Sequence, residues 1–510
     1  ELRLRLSSAQ LPGSEKRLFN IKSKETCLLD KNLLNLLKYN SIIMKRFFII
    51  TLSLLAVLSL NAREIKGVVK CGLKPLKNVV VTDGENFTKT SLTGRYTLDV
   101  SRDAEFVYIV TPSGYVSKYK DGTPQFYQEI DEEKDKYNFK LKKCGSKENY
   151  VLRATADPQM KSKKHIDRYK EETIPDLQES ADRYEGSDAQ IVGIALGDMA
   201  WDDLDYLPKY KKATKALDFP FYQVIGNHDH DTGENDDDES ADDYRDEFGP
   251  NYYAFNLGND YVIVLDNIIY KGKNRYNEEI TDEQIYWVRD YLKRYVPKGS
   301  HIIFAMHAPY YRWFAKNRKM KSGEKLMKVC EDYEVTILSG HLHHNSVFTV
   351  EENVIEHNIS SAGGSWWACD HAKDGTPNGY KVFESFDGNF SWYYKSTALP
   401  VEHQITIFEP GRGILNSEYL LAKVWDWDQE WIVEWYQDGE YMGKMDQCED
   451  YSPDYKEDIE EFYDGKQVAD FRKPHKTHFF FRAKPSDGAK HIKVVANDRF
   501  GREYSSEINL

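Results

Sequence analysis

Cysteine is scarce in this sequence, and its spacing argues against a cysteine-based metal site. The 510 residues contain six cysteines, and no two of them stand in a CxxC or CxxxC arrangement. Structural zinc sites normally use such closely spaced pairs. Disulfides are expected only if the protein is exported, in which case Cys71 and Cys144 would bracket the first domain. The sequence leaves their pairing open.

An excess of positive charge is also absent. Lys and Arg number 69 against 83 Asp and Glu, which gives a formal net charge of −14 at pH 7. Proteins that bind nucleic acids broadly need clustered cations facing the phosphates, and no basic patch stands out. We therefore predict no nucleic-acid-binding surface. An acidic chain can still act on a phosphorylated substrate when bound cations set the local field.

The amino-terminal segment carries an apolar stretch, residues 47–60, that is short for a membrane span. Met44, Lys45 and Arg46 precede it and Ala62 follows it, which is the order of a secretory signal peptide. We predict a signal peptide over residues 44–62, a non-native upstream extension over residues 1–43, and an exported, periplasmic or extracellular protein. The alternative is an uncleaved anchor, which is the only membrane contact that we expect.

The remaining chain is long enough for about three ordinary domains, and its pattern changes twice. Residues 63–145 show short strands broken by turns, which resembles small Ig-like or carboxypeptidase-regulatory-like β-sandwiches. Residues 146–397 alternate strands and helices and predict an α/β catalytic domain. Residues 398–510 are again strand-rich and predict a β domain. For the first domain we expect a structural spacer, with glycan binding as the alternative.

Polar side chains follow five apolar runs of the central region, where strands are predicted to end. In chain order these segments are Asp157, Gly197-Asp198, Gly226-Asn227-His228-Asp229, His307 and Gly340-His341-Leu342-His343. Loops after strand ends carry the chemistry of α/β sheets, and carboxylate, amide and imidazole groups bind divalent cations. A polar turn would explain any one segment, but five in this order favour a metal site. The acidic run at residues 236–239 lacks EF-hand spacing and is predicted to be a solvated loop rather than a calcium site.

This order of segments resembles the calcineurin-like metallophosphoesterase superfamily, in particular a secreted bacterial subgroup with β domains at both ends. The segments span roughly 190 residues. The resemblance implies an α/β fold whose core is an α+β sandwich of two mixed β-sheets flanked by helices. An N-terminal β-sandwich and a C-terminal β domain would flank that core. One position departs from the common pattern, because Gln159 stands where most members carry histidine.

The resemblance also implies two divalent cations, which could be Mn, Fe, Zn or Mg, and assigns their ligands. The implied ligands of one cation are Asp157, Asp198 and His343, with Gln159 if its carbonyl oxygen binds, and those of the other are Asp198, Asn227, His307 and His341. Asp198 would bridge the two cations. Such a pair lowers the pKa of a bridging water, which then attacks phosphorus in line with the leaving oxygen.

Two further roles are carried over from the same resemblance. His228 would face the leaving group as a general acid, with Asp229 orienting its ring, and neither His230 nor His344 would take part. Residues 363–367 resemble a recurring loop of the subgroup and contain Trp366 and Trp367. These two indoles would either form a substrate wall or pack between domains.

The implied function is an exported phosphoesterase that hydrolyses phosphate mono- or diesters. Its partner would be a small phosphorylated substrate, which could be sugar-, nucleotide- or lipid-linked. The sequence leaves that choice, the metal identity and the oligomeric state open. The alternative is a glycan- or surface-binding protein that retains a weakened metallophosphoesterase scaffold, an interpretation motivated by Gln159 and by the two flanking β domains.

Overall fold

The computed structural model describes residues 63–510 of the chain. The predicted signal peptide over residues 44–62 and the predicted upstream extension over residues 1–43 lie outside the described residues. Within the described part, no helix combines the length and the apolar character that a membrane crossing requires. The five cysteines of that part are all free thiols, so the disulfide considered for Cys71 and Cys144 is not formed.

The amino-terminal region consists of short strands in two sheets. They are β1 (Arg63–Cys71), β2 (Lys74–Pro75), β3 (Val80–Thr82), β4 (Phe87–Lys89), β5 (Arg95–Val100), β6 (Phe106–Ile109), β7 (Tyr115–Ser117), β8 (Tyr119–Lys120), β9 (Thr123–Pro124), β10 (Tyr127–Glu129) and β11 (Phe139–Lys143). One sheet contains β2, β1, β11, β7 and β5, the other contains β10, β6, β3 and β4, and β8 pairs with β9. The predicted β-rich region is confirmed, while its finer likeness to an Ig-like module stays a prediction.

This region packs directly against the central one and shares its hydrophobic core. Val81 and Trp287, which lie on opposite sides of the boundary, belong to one cluster of buried side chains. The indole of Trp287 donates to the hydroxyl of Thr82 at 3.3 Å, and the hydroxyl of Tyr252 donates to the carbonyl of Gly84 at 3.0 Å. Because buried apolar side chains from both regions form one core, the first region stabilises the central sheets.

The central region alternates strands and helices, as predicted. Its strands are β12 (Tyr150–Thr155), β13 (Gln190–Ala195), β14 (Phe221–Gln223), β15 (Tyr253–Leu257), β16 (Asp260–Val264), β17 (Ile268–Tyr270), β18 (Tyr276–Glu278), β19 (His301–Ala305), β20 (Glu334–Ser339), β21 (Ser346–Glu351), β22 (Val354–Asn358), β23 (Gly379–Phe386) and β24 (Asn389–Ser396). Its helices are α1 (Lys163–Arg168), α2 (Ile174–Asp182), α3 (Leu207–Thr214), α4 (Asp237–Ser240), α5 (Asp242–Phe248), α6 (Asp282–Tyr295) and α7 (Lys321–Val329).

Two mixed sheets form the core of this region. One has the order β14-β13-β12-β23-β24, and the other has the order β15-β16-β19-β20-β22-β21. Strands β12 to β14 run parallel, as do β16, β19, β20 and β22. Every residue of β12 is buried, which is the pattern of a strand that is covered on both faces. The predicted sandwich of two mixed sheets with helices is therefore confirmed.

The helical stretch over residues 163–182 is interrupted. A π-helical turn over Tyr169–Thr173 separates α1 from α2, and Pro175 at the start of α2 lacks the N–H that a continuous α-helix would need there. Helix α6 is continuous, and the hydroxyl of Thr281 caps its amino terminus by accepting from the backbone N–H of Gln284 at 3.3 Å.

The carboxy-terminal region adds two four-stranded antiparallel sheets and one helix. Its elements are β25 (Ile405–Phe408), β26 (Leu420–Val424), β27 (Ile432–Gln437), β28 (Glu440–Lys444), β29 (Asp446–Asp450), α8 (Pro453–Tyr463), β30 (Thr477–Ala483), β31 (His491–Asn497) and β32 (Glu503–Asn509). The sheet orders are β25-β26-β30-β29 and β28-β27-β31-β32. Strands β27 and β28 form a hairpin across Asp438 and Gly439. The predicted domain boundaries at residues 145/146 and 397/398 stay predictions.

Buried ion pairs connect the carboxy-terminal region to the central one. The ammonium of Lys423 lies 2.9 Å from the carboxylate of Asp374, and that of Lys381 lies 2.6 Å from Asp426, with all four side chains at most 1% exposed. Removing one member of a buried pair leaves the other charge without compensation in a low-dielectric interior. Each pair therefore makes the two regions dependent on each other.

We expect Lys423→Met to lower the free energy of unfolding by about 3–5 kcal/mol, because the carboxylate of Asp374 would stay buried without its partner. Denaturant unfolding followed by tryptophan fluorescence measures this loss. The matched control is Lys484→Met, since Lys484 pairs with Glu418 at 3.0 Å while both side chains are 66% exposed. That surface pair should contribute less than about 1 kcal/mol, and equal losses in the two variants would contradict the prediction.

Candidate metal centre

The predicted ligands lie where strands of the two central sheets end and meet. Asp157 follows β12, Asp198 follows β13, Asn227 follows β14, and His307 follows β19. The Nδ1 atom of His307 donates to the carbonyl of Leu196 at 2.7 Å, which joins the end of β19 to the end of β13. The structure thus brings together side chains that lie far apart in the sequence.

Glycines next to the ligands give these side chains the room they need. A Cβ atom on Gly226 would lie 2.3 Å from Oδ1 of Asp198, and one on Gly197 would lie 2.5 Å from Nδ1 of His307. Gly197 also adopts a φ of +89°, in the region that side chains avoid. A larger residue at either position would displace a candidate ligand.

Four potential ligand atoms converge on one point. The Nε2 atom of His307 lies 3.1 Å from Oδ1 of Asn227, 3.3 Å from Oδ1 of Asp198 and 3.0 Å from Nδ1 of His341. Asp198, His307 and His341 each place a ligand atom within 4.8 Å of the others. These four residues are the ones that the family resemblance assigns to the second cation.

The three candidate histidine ligands are each held through one ring nitrogen, which leaves the other nitrogen for a cation. His307 Nδ1 contacts the carbonyl of Leu196 at 2.7 Å, and His341 Nε2 contacts Glu278 at 3.2 Å. His343 Nδ1 lies 3.5 Å from the carbonyl of Gly364, while its Nε2 lies 3.6 Å from Oδ1 of Asp157. Acceptors behind the ring select the tautomer that presents a lone pair to a metal.

The charge around Asp198 favours a cation. Burial alone would raise the pKa of Asp198, but the neighbouring His307 and His228 lower it well below its usual value, so the carboxylate is ionised. Burial alone would lower the pKa of His307, but the charge and the hydrogen bond of Asp198 raise it to about 10. A positive charge beside Asp198 is therefore strongly stabilised.

The residues assigned to the first cation lie beside the same carboxylate. Gln159 Nε2 donates to Oδ2 of Asp198 at 3.1 Å, whereas its carbonyl oxygen Oε1 is buried without a hydrogen-bond partner among the described residues. Burial and the charge of Asp198 raise the pKa of Asp157 to about 7, although His307 opposes that shift. An unpartnered amide oxygen next to two carboxylates suits a divalent cation.

The backbone at these positions is unusual as well. Asp157, Gln159, Asp198, His341 and His343 all adopt positive φ values between 42° and 69°. Residues with a side chain rarely adopt this conformation, and it persists only where the surrounding structure imposes it, most often at functional sites. The seven candidate ligands therefore fit a pair of divalent cations in chemistry and in placement.

The ring of His228 is oriented by Asp202, and the predicted role of Asp229 as its orienting group is wrong. His228 Nδ1 lies 2.6 Å from Oδ1 of Asp202. The carboxylate of Asp229 instead accepts from the backbone N–H groups of Ala200, at 2.8 Å, and Gly226, at 3.0 Å. Because Asp229 is fully buried and engaged by these amides, it shapes the loop rather than the ring.

The charge on His228 follows from the same neighbours. Burial lowers the pKa of His228, but the charge of Asp198 and the hydrogen bond that the ring donates to Asp202 outweigh it, so the pKa lies above its usual value. The ring is therefore held in its protonated form to a higher pH than a free imidazole, which suits a general acid.

We expect Asp202→Asn to move the basic limb of the pH profile of kcat to lower pH. The active form of the acid is the protonated ring, and it is lost as pH rises through the raised pKa of His228. Because Asp202 contributes to raising this pKa, its removal should move the loss of activity to lower pH. Turnover at high pH should drop by about tenfold or more, by analogy with other groups that position a catalytic ring. An unchanged pH profile would contradict the assignment of Asp202.

Sequence reasoning missed Glu278, which lies on β18. Its carboxylate contacts Nε2 of His341 at 3.2 Å and Nη2 of Arg312 at 2.5 Å. Burial would raise the pKa of Glu278, but the hydrogen bond from His341 and the charge of Arg312 lower it to about 2. No sequence motif identifies this residue. It lies on the hairpin of β17 and β18, which is separate in sequence from the segments that carry the candidate ligands.

The two predicted substrate-facing indoles have different environments. Trp366 is half-buried and its ring stacks on His343 with centroids 4.1 Å apart. Trp367 is 6% exposed, and its Nε1 donates to the carbonyl of Pro158 at 2.7 Å. The prediction that Trp367 faces substrate is therefore wrong. Its ring is buried by neighbouring side chains, and its N–H group is bonded to a backbone carbonyl.

Trp366 belongs to a cluster of aromatic rings beside His228. Trp201 lies 6.2 Å from Trp366 and 6.3 Å from His228, measured between ring centroids. Phe471, which comes from the carboxy-terminal region, lies 4.9 Å from Trp366 and is 48% exposed. The wall next to the candidate acid is thus built by two regions of the chain.

His230 and His344 lie close in sequence to the candidate ligands but outside the converging atoms. His230 is fully buried, contacts the hydroxyl of Ser240 at 2.9 Å and stacks on Tyr270. His344 is 2% exposed and stacks on His475 with centroids 4.4 Å apart. Neither ring contacts a candidate ligand group through hydrogen bonds.

Comparison with known families gives matches along most of the chain. The model described as calcineurin-like phosphoesterase matches residues 161–345, and models for the N terminal and C terminal of calcineurin-like phosphoesterase match residues 63–144 and 356–504. The core match begins after Asp157 and Gln159 and ends after His343. No curated protein matches the chain.

Solved structures similar to the chain include several phosphatases. A dimetal phosphatase from Danio rerio is 12% identical, with 48% of this chain and 96% of that chain covered and a TM-score of 0.35. PhoD is 12% identical, with 72% and 84% covered and a TM-score of 0.37. The purple acid phosphatase PPD1 of yellow lupin, Lupinus luteus, is 12% identical, with 63% and 67% covered and a TM-score of 0.36.

Proposed function

The chain belongs to the calcineurin-like phosphoesterase family, and from that premise we propose that it is a dinuclear-metal-dependent hydrolase of phosphate mono- or diesters. The observation that carries the proposal is the orientation of His307, His341 and His343. Each ring is engaged by an acceptor at one nitrogen. The other nitrogen of His307 lies 3.3 Å from Asp198, that of His343 lies 3.6 Å from Asp157, and that of His341 lies 3.0 Å from Nε2 of His307. A structural cluster of histidines has no need of this arrangement.

The candidate ligands divide into two sets that share Asp198. Asp157, Gln159 and His343 would hold one cation with it, and Asn227, His307 and His341 would hold the other. Divalent cations in such a site supply positive charge for the phosphoryl oxygens and lower the pKa of water at neutral pH. Glu278 supports the second set by fixing the ring of His341.

His228 would act on the leaving group. Its ring is 23% exposed, so it is accessible from the site, and Asp202 fixes one nitrogen while the other stays free to donate a proton. Proton donation to the leaving oxygen matters most for esters whose alcohols are weak acids. Trp201 and Trp366 would flank the organic part of such an ester, because both rings lie beside His228 or His343.

Metal removal and replacement test the proposal. Protein stripped with a chelator should have no turnover, and Mn, Zn, Fe or Mg should restore hydrolysis of aryl phosphate monoesters or diesters. The panel also separates monoester from diester preference. An absence of turnover on every ester with every metal would contradict the proposal and would favour the binding-protein alternative.

We further propose that the protein is exported, on the strength of the basic, apolar and small residues over positions 44–62. The expected mature amino terminus lies near Arg63. Amino-terminal sequencing of material recovered from the periplasm or medium checks this, and retention of Met44 would favour a membrane anchor.

A further inference from the structure

A pocket of about 410 Å³ opens beside the candidate metal centre. Its wall includes His341, one of the candidate ligands, together with Arg312 and Lys373 of the central region. The carboxy-terminal region contributes Asp470, Phe471, Lys473, Pro474 and His475. Because His341 belongs both to the metal centre and to the pocket wall, a molecule bound at the metals can extend into this space.

The pocket is cationic although the chain as a whole is acidic. Arg312, Lys373 and Lys473 line it, and Asp470 is the one acid in the lining. Arg312 is paired with Glu278, and Lys473 is paired with Asp470 at 2.6 Å. Among residues 63–510, no hydrogen bond or ion pair engages the ammonium of Lys373, which lies 5.5 Å from the ring centroid of Trp366. Lys373 is therefore the cation of the pocket lining that has no direct ion-pair partner among these residues, although the charges of Asp157 and Asp374 act on it.

His344 supplies a second and independent indication of a ligand. Its side chain is 2% exposed and lines the pocket, and both of its ring nitrogens lack a hydrogen-bond partner among the described residues. His475, which stacks on it, also has a buried Nδ1 atom without a partner. Every imidazole carries at least one N–H, and buried donors of this kind are almost always satisfied. The ring of His344 therefore has at least one unsatisfied donor that an oxyanion would satisfy, and Nδ1 of His475 can add a second in the tautomer that protonates it.

We propose that this pocket binds a second anionic group of the substrate, a phosphate or a carboxylate, so that the preferred substrate is a phosphate ester with at least two anionic groups. The inference rests on the proposed function, because it places the first phosphate at the metal centre. The linker between the two groups should be short, since His343 and Lys373 both lie against the single indole of Trp366.

A binding experiment tests the pocket without relying on turnover. Manganese-loaded protein is titrated calorimetrically with propylphosphonate and with propane, butane and pentane bisphosphonates, which cannot be hydrolysed. With the best linker, the bisphosphonate should bind about tenfold or more tightly than the monophosphonate, because charge-assisted hydrogen bonds form at the second end. Equal affinities at every linker length would overturn the proposal.

Two variants assign the gain to the pocket. Lys373→Gln, and independently the exposed Lys473→Gln, should reduce the ratio of bisphosphonate to monophosphonate affinity by about fivefold or more. The matched control is Lys161→Gln, because the ammonium of Lys161 lies 3.6 Å from the ring centroid of Trp201 but does not line the pocket. An equal reduction in the control would mean that general charge, and not the pocket, causes the preference.

Two further experiments distinguish a failure of the proposed function from a failure of the proposed anion pocket. Hydrolysis of an aryl phosphate tests the proposed function alone, and its absence leaves the bisphosphonate ratio as a valid measure of the pocket. Inorganic phosphate is titrated in the presence of saturating propylphosphonate to detect an independent site. If phosphate binds there in a Lys373-dependent manner while bisphosphonates gain nothing, the pocket binds a free anion and the inferred substrate class is wrong.

Discussion

Replacing Asp198 with asparagine is expected to lower phosphoesterase turnover by more than about a hundredfold while the fold is retained. Groups that only orient metal ligands already contribute about 10–100-fold to affinity or activity, and Asp198 is the carboxylate that both ligand sets share. The asparagine keeps an oxygen that can accept the backbone N–H of His228, which Asp198 accepts at 2.9 Å. The change therefore removes charge with little change in shape.

Metal analysis and steady-state turnover, measured on the same preparation, check this expectation. The matched control is Asp167→Asn, since Asp167 lies on α1 and, within residues 63–510, pairs with the exposed Lys163 alone. Bound metal should fall in the Asp198 variant, and both metal and turnover should stay near wild type in the control. Wild-type turnover of Asp198→Asn would remove the bridging assignment.

The second large effect is expected from His228→Ala, which should lower turnover of esters with poor leaving groups by about 10²–10⁴-fold. Metal content should stay near wild type, because the atoms that converge on the metal position come from Asp198, Asn227, His307 and His341. Esters with acidic leaving groups need less protonation and should lose less. The comparison of two esters on one variant therefore isolates proton donation.

His341→Ala provides the contrast, since it removes a candidate ligand. It should lose metal and should affect both kinds of ester alike. If His228→Ala lost metal in parallel with His341→Ala, the ring of His228 would be a ligand and its role as an acid would have to be abandoned.

The sequence indicates much of this site because its ligands follow strand ends. A buried strand is recognisable from its apolar run, and the residue after it is then placed at one edge of a sheet. Asp157, Asp198 and His307 are found in this way, and all three lie at the expected edge. Both flanking β regions and the α/β character of the central region are predicted from local patterns, whereas the two mixed sheets are implied by the family resemblance.

Residues that act on the ligands from a distance are not found in this way. Asp202 lies four residues past Asp198 on a loop, and only the folded geometry selects it over Asp229 as the partner of His228. Glu278 reaches His341 from a hairpin whose sequence has no distinguishing pattern. Trp366 and Trp367 are neighbours in sequence, yet Trp366 stacks on His343 whereas Trp367 donates to the carbonyl of Pro158.

The pocket wall includes Asp470, Phe471, Lys473, Pro474 and His475 of the carboxy-terminal region, and this has a consequence for how substrate specificity can change in related chains. The side chains that would select a substrate come from two regions that buried ion pairs such as Lys423 with Asp374 hold together. A carboxy-terminal region recombined from another member would have to match both the ion pairs and the pocket wall. Substrate choice in this lineage should therefore be inherited with the pairing of the two regions, and domain exchange should seldom transfer it intact.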